Sequence, residues 1–430
     1  MAEAENKSGA EKGPLAGIRV LELCSTIAGP VCARLFGDFG ADVIKVEPLT
    51  GDPVRSMGFH LDNVSLYAAS ILRNKENIAV NLKTKEGQEV VRELARHCDI
   101  LVENFRPGTL ERLGLNYEDL SVANPGLIMV RISGYGQTGP YRSKPGYGAI
   151  CEAFGGIRYL TGDPDRPPAR CAVAITDYVT AVYAAFGAMM ALYERQNSGR
   201  GQVVDAALYE AAFSMMEVMV PAYDKKGIIP TRLGSRMHGA APNNLYVTAD
   251  QVYLLIAANN DAIFFRLARA MDKAHLIEDA RFNTIRARGE NMDLVDAEVT
   301  SWLAHKTADE AIAIFEAASV PVSKVYTIKD IFEDPHYRER DMLVQVESEL
   351  LGEVVVPGVV PKMSRTPGSI RSAGKAIGRD TRAVLARDLG FSSEAVDALA
   401  AEHVVRIATE RRSAVVGEVP SKAPEAEPHD

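Results

Sequence analysis

Asp177 is the only charged residue between Arg170 and Glu194, and it stands at the start of an apolar helical run that continues Tyr178-Val179-Thr180-Ala181-Val182-Tyr183 and on to Met190. A carboxylate that folding would draw out of water must be hydrogen-bonded or held for chemistry. Two readings stand side by side on local sequence. In one, Thr176 caps the helix and Asp177 only complements its dipole, which contributes about 0.3–1 kcal/mol. In the other, Asp177 is a buried acid that reacts.

Other chemistry-bearing patterns are weaker one by one. Gly134-Tyr135-Gly136-Gln137-Thr138-Gly139 matches a dinucleotide fingerprint and follows a predicted strand. A true fingerprint opens a helix whose N-terminus receives a pyrophosphate, whereas Pro140 and Pro145 follow here, so the stretch reads as a loop. The earlier strand-to-helix turn, Cys24 to Pro30, with Glu47 ending the next strand, keeps an NAD site as the second reading, although the turn lacks the glycines that admit a pyrophosphate. Glu103-Asn104-Phe105-Arg106-Pro107-Gly108 follows another strand and suits either a nucleotide or a structural turn. Arg73, Lys75, Lys83, Arg112, Arg142 and Lys144 lie in or beside predicted loops, and would form a site only by converging on one phosphate. The five cysteines form no Cys-x-x-Cys pair and the eight histidines no His-x-x-x-His spacing. Neither a disulfide framework nor a structural metal is expected.

The elements that must position these residues alternate in kind. Strands are predicted at 18–23, 41–46, 77–81, 99–103 and 127–133, with helices at 29–39, 85–97 and 109–113 between them. This spacing predicts a parallel, Rossmann-like α/β sheet. A helix is expected from about Asp205. Pro221, Gly227 and Pro230 then break the pattern, and a smaller α+β domain follows, with a strand at 252–257 and helices at 261–271, 291–305 and 308–318. From about Tyr326 the chain reads as strand-rich, with strands at 343–346 and 353–356, before a helix at 381–389 returns it to the large domain. The expected organisation is a disordered N-terminus (1–14), the first part of the large domain (15–225), the small inserted domain (226–325), the linker and return (326–410), and a disordered tail (411–430). No internal repeat is found.

With 430 residues, the chain exceeds the size at which one core stops growing. Its 47% apolar and 24% charged residues are ordinary for a globular protein, and a net charge of −9 argues against non-specific nucleic-acid binding. The first residues lack the apolar stretch of a secretory signal, which leads to a cytoplasmic expectation. The run 171–193 is long enough to span a bilayer, but it is rich in Ala, Thr, Tyr and Gly and carries Asp177. It reads as a core helix, with no membrane partner expected.

Several of these stretches coincide with one family. Leu15-Ala16-Gly17-Ile18-Arg19-Val20-Leu21-Glu22-Leu23, Ala28-Gly29-Pro30, Gly37-Asp38-Phe39-Gly40-Ala41-Asp42-Val43-Ile44-Lys45-Val46-Glu47, Val102-Glu103-Asn104-Phe105, Gly134 to Pro140, and Gly199-Arg200-Gly201-Gln202 occur in order. On these the chain resembles the class III CoA-transferases, the group that includes formyl-CoA transferase and carnitine CoA-transferase and is related to 2-methylacyl-CoA racemase, over about residues 15–390. The resemblance implies that Asp177 is the catalytic aspartate. It also implies that Thr26, Ile27, Ala28, the segment Val80-Asn81-Leu82-Lys83, Asn104, Phe105 and Arg112 hold coenzyme A, with Lys144 beside them. Tyr147, His238, Gly239 and Ala240 would line the substrate pocket or the loop over it. Coenzyme A thioesters would be substrates, with no tightly bound cofactor, and two interlocked ring-like chains would form a homodimer in which each small domain closes over the partner's site.

Two departures narrow that expectation. Where the racemases carry a histidine as second acid/base, this chain has Tyr147, and a phenol with a pKa of about 10 is a poor base for α-proton exchange. Where formyl-CoA transferase has a glutamine and a glutamate around its small diacid, Ile27 and Gly148 stand here, which argues for a larger or less polar acid. Arg232, Arg236 and His238 either clamp a distal carboxylate or form surface ion pairs. The expectation is CoA transfer from a donor thioester, succinyl-CoA or another dicarboxylic one, through an aspartyl-CoA intermediate. The alternatives are a racemase-like enzyme and a CoA-binding subunit of a mixed oligomer.

Overall fold

A computed structural model of the chain describes residues 13–408; the expected disordered ends lie, but for two and none of their residues respectively, outside that range. Six parallel strands come first: β1 (Arg19–Leu23), β2 (Asp42–Glu47), β3 (Glu76–Val80), β4 (Ile100–Glu103), β5 (Ile128–Ser133) and β6 (Val203–Ala207). A three-stranded antiparallel sheet follows, β7 (Asn243–Val247), β8 (Tyr253–Ala257) and β9 (Val322–Lys324), then a ribbon of β10 (Leu343–Ser348) and β11 (Gly352–Pro357), and finally β12 (Val405–Arg406). The large sheet has the order β12-β3-β2-β1-β4-β5-β6.

Its central strands are buried on both faces, and alternation sorts their side chains. Val20, Ile100, Val102, Ile128 and Val130 face the helix Ala28–Asp38 and the long helix Ile175–Ser198. Leu21, Leu23, Ile44, Leu101 and Met129 face the helix Lys85–Ala95 and the returning C-terminal helices. Near-continuous apolar strands of this kind are what a sheet covered on both sides requires. The three-stranded sheet has a separate core that includes Tyr246, Leu254, Ile256, Phe264, Phe315 and Val299.

The structure corrects three expectations. The segment beginning near Asp205 is strand before helix: Val203–Ala207 pairs with β5 through Met129↔Val203 to Ser133↔Ala207, and the helix starts only at Leu208. The alanines there favour a helix, and the open edge of β5 overrides that preference. The sheet is not wholly parallel, because β12 joins β3 antiparallel at its edge. The region after Tyr326 opens with two short helices, Ile328–Glu333 and Pro335–Glu339, started by a Thr327–Asp330 capping box and an Asp334 cap.

The long helix Ile175–Ser198 is long and apolar enough to cross a membrane. One face buries Thr180, Ala181, Ala184, Ala188 and Ala191 within the sheet's core. The other leaves Phe186 at 60% and Tyr193 at 68% exposure in the single chain.

Candidate active site

The sheet order contains a switch point. The chain passes from β1 to β2 on one side and later returns to place β4 on the other, so the loops after β1 and β4 leave in different directions and open a crevice at their C-terminal ends. A cavity of about 150 Å³ lies there, lined by Ser25, Thr26, Ile27 and Ala28 after β1, Asn104 to Pro107 after β4, and Ser133 and Gly134 after β5. Its remaining wall includes Arg142, Lys144, Tyr147 and Asp177.

Asp177 enters this cavity from the first turn of the long helix. The capping residue there is Ala174, with no side-chain cap, so the reading in which Thr176 caps the helix does not hold. Thr176 is buried, and its hydroxyl has no partner among the described residues. Asp177 is half-buried and makes no side-chain hydrogen bond or ion pair among the described residues. Burial pushes its pKa up to about 6, opposed by its own backbone N–H and by the charge of Arg170. Gly148 makes the room: a Cβ there would stand 1.9 Å from Asp177 Oδ2. Gly134 and Gly146 likewise let two backbones pass, since a Cβ on Gly134 would meet Gly146 Cα at 2.9 Å.

The loop Gly134–Gly139 opens no helix, and two of its amides are already used. Gly136 N–H donates to Ser133 Oγ at 3.0 Å and Gln137 N–H to Asp205 Oδ2 at 2.8 Å. Two of the donors a pyrophosphate would need are thereby taken, and no helix N-terminus follows directly to supply others.

Of the residues expected to bind CoA, Thr26, Ile27, Ala28, Asn104, Phe105 and Lys144 meet at the cavity, together with Tyr147 and Asp177. Asn104 also has a structural task, because its amide bonds both backbone groups of Ser25, at 2.9 and 2.8 Å. Lys144 Nζ sits 3.5 Å from the Tyr141 ring centroid. Val80 is buried in the core, Asn81 accepts from Lys83 N–H, and Leu82 accepts from Gln88, so this segment and Arg112 do not line the cavity. His238, Gly239 and Ala240 lie just before β7 and do not line the cavity in this chain, with Gly239 at φ +73°.

The carboxylate clamp is not formed. Arg236 is engaged by Asp293 at 2.7 Å and Asp296 at 2.8 Å, Arg232 donates to the carbonyls of Asp163 and Tyr159, and His238 Nε2 lies 3.2 Å from the Thr231 carbonyl. Arg106 and Arg142 line the cavity instead, with no ion pair among the described residues. Both were visible as loop cations next to motifs. The role of Ser133 and Leu208 in the wall carried no sequence signal. A larger cavity, about 630 Å³, lies elsewhere, but Arg55 and Arg406 on its wall already bond Glu47 and the Leu49 carbonyl.

This arrangement offers a half-buried, unpaired carboxylate on the same cavity as Arg106 and Arg142, and no histidine of this chain is among the described residues that line it. It suits attack on a carbonyl better than two-base proton exchange.

Residues 15–381 match the model of CoA-transferase family III, so the chain belongs to that family and is a CoA-transferase. It is 45% identical over 91% of its length to the succinyl-CoA–D-citramalate CoA-transferase of Chloroflexus aurantiacus, covering 98% of that protein. It is 41% identical, with the same two coverages, to the beta subunit of the succinyl-CoA–L-malate CoA-transferase of the same organism. Among solved structures, it matches a CaiB/BaiF family protein from Brucella suis with a TM-score of 0.77 and 32% identity, over 88% of this chain and all of the other.

Proposed function

We propose that this member of CoA-transferase family III moves CoA from succinyl-CoA, or a similar dicarboxylic thioester, to an acceptor carboxylic acid through a covalent intermediate on Asp177. The observation that carries this reading is the Asp177 carboxylate itself: partly stripped of water, unpaired, and open to a cavity at the sheet's switch point. The succinyl-CoA enzymes among its relatives support the donor.

The steps follow from what a carboxylate can do. Asp177 attacks the thioester carbonyl, the C–S bond breaks, and CoA leaves as thiolate, giving a mixed anhydride. The thiolate then attacks the aspartyl carbonyl, expelling succinate and leaving an aspartyl-CoA thioester. An acceptor carboxylate attacks that thioester and releases the thiolate. Finally the thiolate takes the new acyl group and frees Asp177. A carboxylate is a weak nucleophile in water; alignment and partial desolvation make it competent. Arg106 and Arg142 would meet the charges of the thioester or the acid.

The exposed aromatic and methionine face of the long helix, including Phe186, Met190 and Tyr193, fits an interlocked homodimer, which would also bring a partner's His238–Ala240 segment over the site. The free cysteines suit a reducing, cytoplasmic setting. In the decisive experiment, donor thioesters are screened against mono- and dicarboxylates by mass, and the enzyme is trapped with hydroxylamine. A hydroxamate at Asp177 is expected. Turnover with no modification there overturns the mechanism, and CoA binding without acyl exchange would favour a non-catalytic subunit.

A further inference from the structure

The wall of the cavity contributed by β1 is under constraint. Thr26 has φ +71°, the left-handed region, which a β-branched residue enters only when its surroundings force it. Its N–H donates to Asp52 Oδ1 at 2.9 Å. The same oxygen accepts from Val54 N–H at 2.8 Å, so Asp52 caps its own short helical turn while it holds Thr26.

Asp52 is itself immobilised. It is 2% exposed, its N–H donates to Glu47 Oε2 at 2.8 Å, and its Oδ2 lies 2.7 Å from Lys45 Nζ. Lys45 in turn bonds Glu22 Oε1 and the Cys24 carbonyl at 2.8 Å each, and Glu22 Oε2 pairs with Lys75 at 2.7 Å. These four side chains are fully out of water and their charges balance, two against two. They tie β1, β2 and the entrance of β3 to one small turn. A charge network of this burial brings little net stability, because desolvation cancels most of its attraction. Its clear product is geometry.

We propose that Asp52 is a positioning residue for CoA transfer: through the Thr26 N–H it holds the Ser25–Ala28 turn in the strained form that shapes the cavity wall beside Asp177 and orients the thioester. This rests on the reading under Proposed function for the identity of the thioester. It makes Asp52 matter for substrate binding although it reaches the cavity only through another residue's backbone.

The test is a double-mutant cycle on the full chain with Asp52→Ala, Thr26→Gly and the pair, measured below each variant's melting temperature. The readouts are KM and kcat for succinyl-CoA, and the Kd of free CoA by calorimetry. Asp52→Ala is expected to raise KM and Kd by ~10-fold or more, the loss of one charge-assisted hydrogen bond. Glycine occupies positive φ without strain, so Thr26→Gly in the Asp52→Ala background should recover at least ~3-fold. If Asp52→Ala does not accumulate as folded protein, Asp52→Asn serves in its place: it turns the charge-assisted bond from the Thr26 N–H into a weaker neutral one, KM and Kd should rise ~3-fold, and adding Thr26→Gly should recover that rise. Unchanged KM and Kd in the Asp52 variant, or equal effects of Thr26→Gly in both backgrounds, overturns the inference. A wild-type protein that binds CoA but transfers none overturns the functional reading instead.

Discussion

Two groups of charges lie close together in the large sheet, and they are treated in opposite ways. Beneath the β1 turn, Glu22, Lys45, Asp52 and Lys75 are fully buried, and every charge has a partner. At the cavity, Asp177 has none, and Arg106 and Arg142 have no ion pair among the described residues. The electrostatic consequences differ in the same sense. Despite its burial, Lys45 is held above the usual lysine range by Glu22, Asp52 and Glu47, so it stays charged. Burial pushes Asp177 toward neutrality, opposed by its own backbone N–H and by the charge of Arg170. Satisfied charges build a scaffold, and unsatisfied ones are available to a substrate.

That contrast can be broken at its strongest point first. Asp177→Asn should reduce CoA transfer by ~1000-fold or more while the protein still folds, because the replacement cannot form the anhydride; steady-state assays and circular dichroism together check this. Because burial disfavours the charge, the same variant should gain ~1 kcal/mol of stability at pH 7, discounted for the group's exposure, and the gain should vanish below about pH 4, where the unfolded acid is protonated too. Lys45→Met should do the reverse, costing ~3–5 kcal/mol by leaving buried carboxylates uncompensated. Urea unfolding measures it, and a loss below ~1 kcal/mol would mean the network is not load-balanced as described.

Smaller changes sharpen the comparison. Gly148→Ala places a Cβ against the Asp177 carboxylate, and kcat should fall ~10–100-fold with little change in Tm, since a misplacement of about 1 Å at a reacting group has that effect. The pH profile should show one acidic limb: with the nucleophile's pKa near 6, kcat/KM is expected to drop about tenfold per unit below that and to level off above it. Arg142→Gln should have the smallest effect, raising KM ~3–10-fold and weakening its salt dependence, as expected for one exposed cation facing an anion.

Much of this was legible in the chain because it is local. Strand and helix alternation, the loop character of Gly134–Gly139, and the isolation of Asp177 all follow from residue types within a few positions. Asp52 carried a signal too, since Asp-Pro at 52–53 is a helix-start pattern, but nothing local shows that its second bond goes to Thr26. Between the two readings of Arg232, Arg236 and His238, a carboxylate clamp or ion pairs, the local sequence could not choose for the same reason: Asp293 and Asp296, which pair with Arg236, stand more than fifty residues away.

What the sequence determined by itself is therefore the material: a two-sided parallel sheet, a long apolar helix, and one acid at that helix's entrance, each encoded by short-range periodicity and turn chemistry. Which charges are neutralised and which are left free was decided only by tertiary structure. A carboxylate's environment depends on neighbours that strand order brings together, and at this cavity those neighbours come from loops after β1, β4 and β5 that are far apart along the chain.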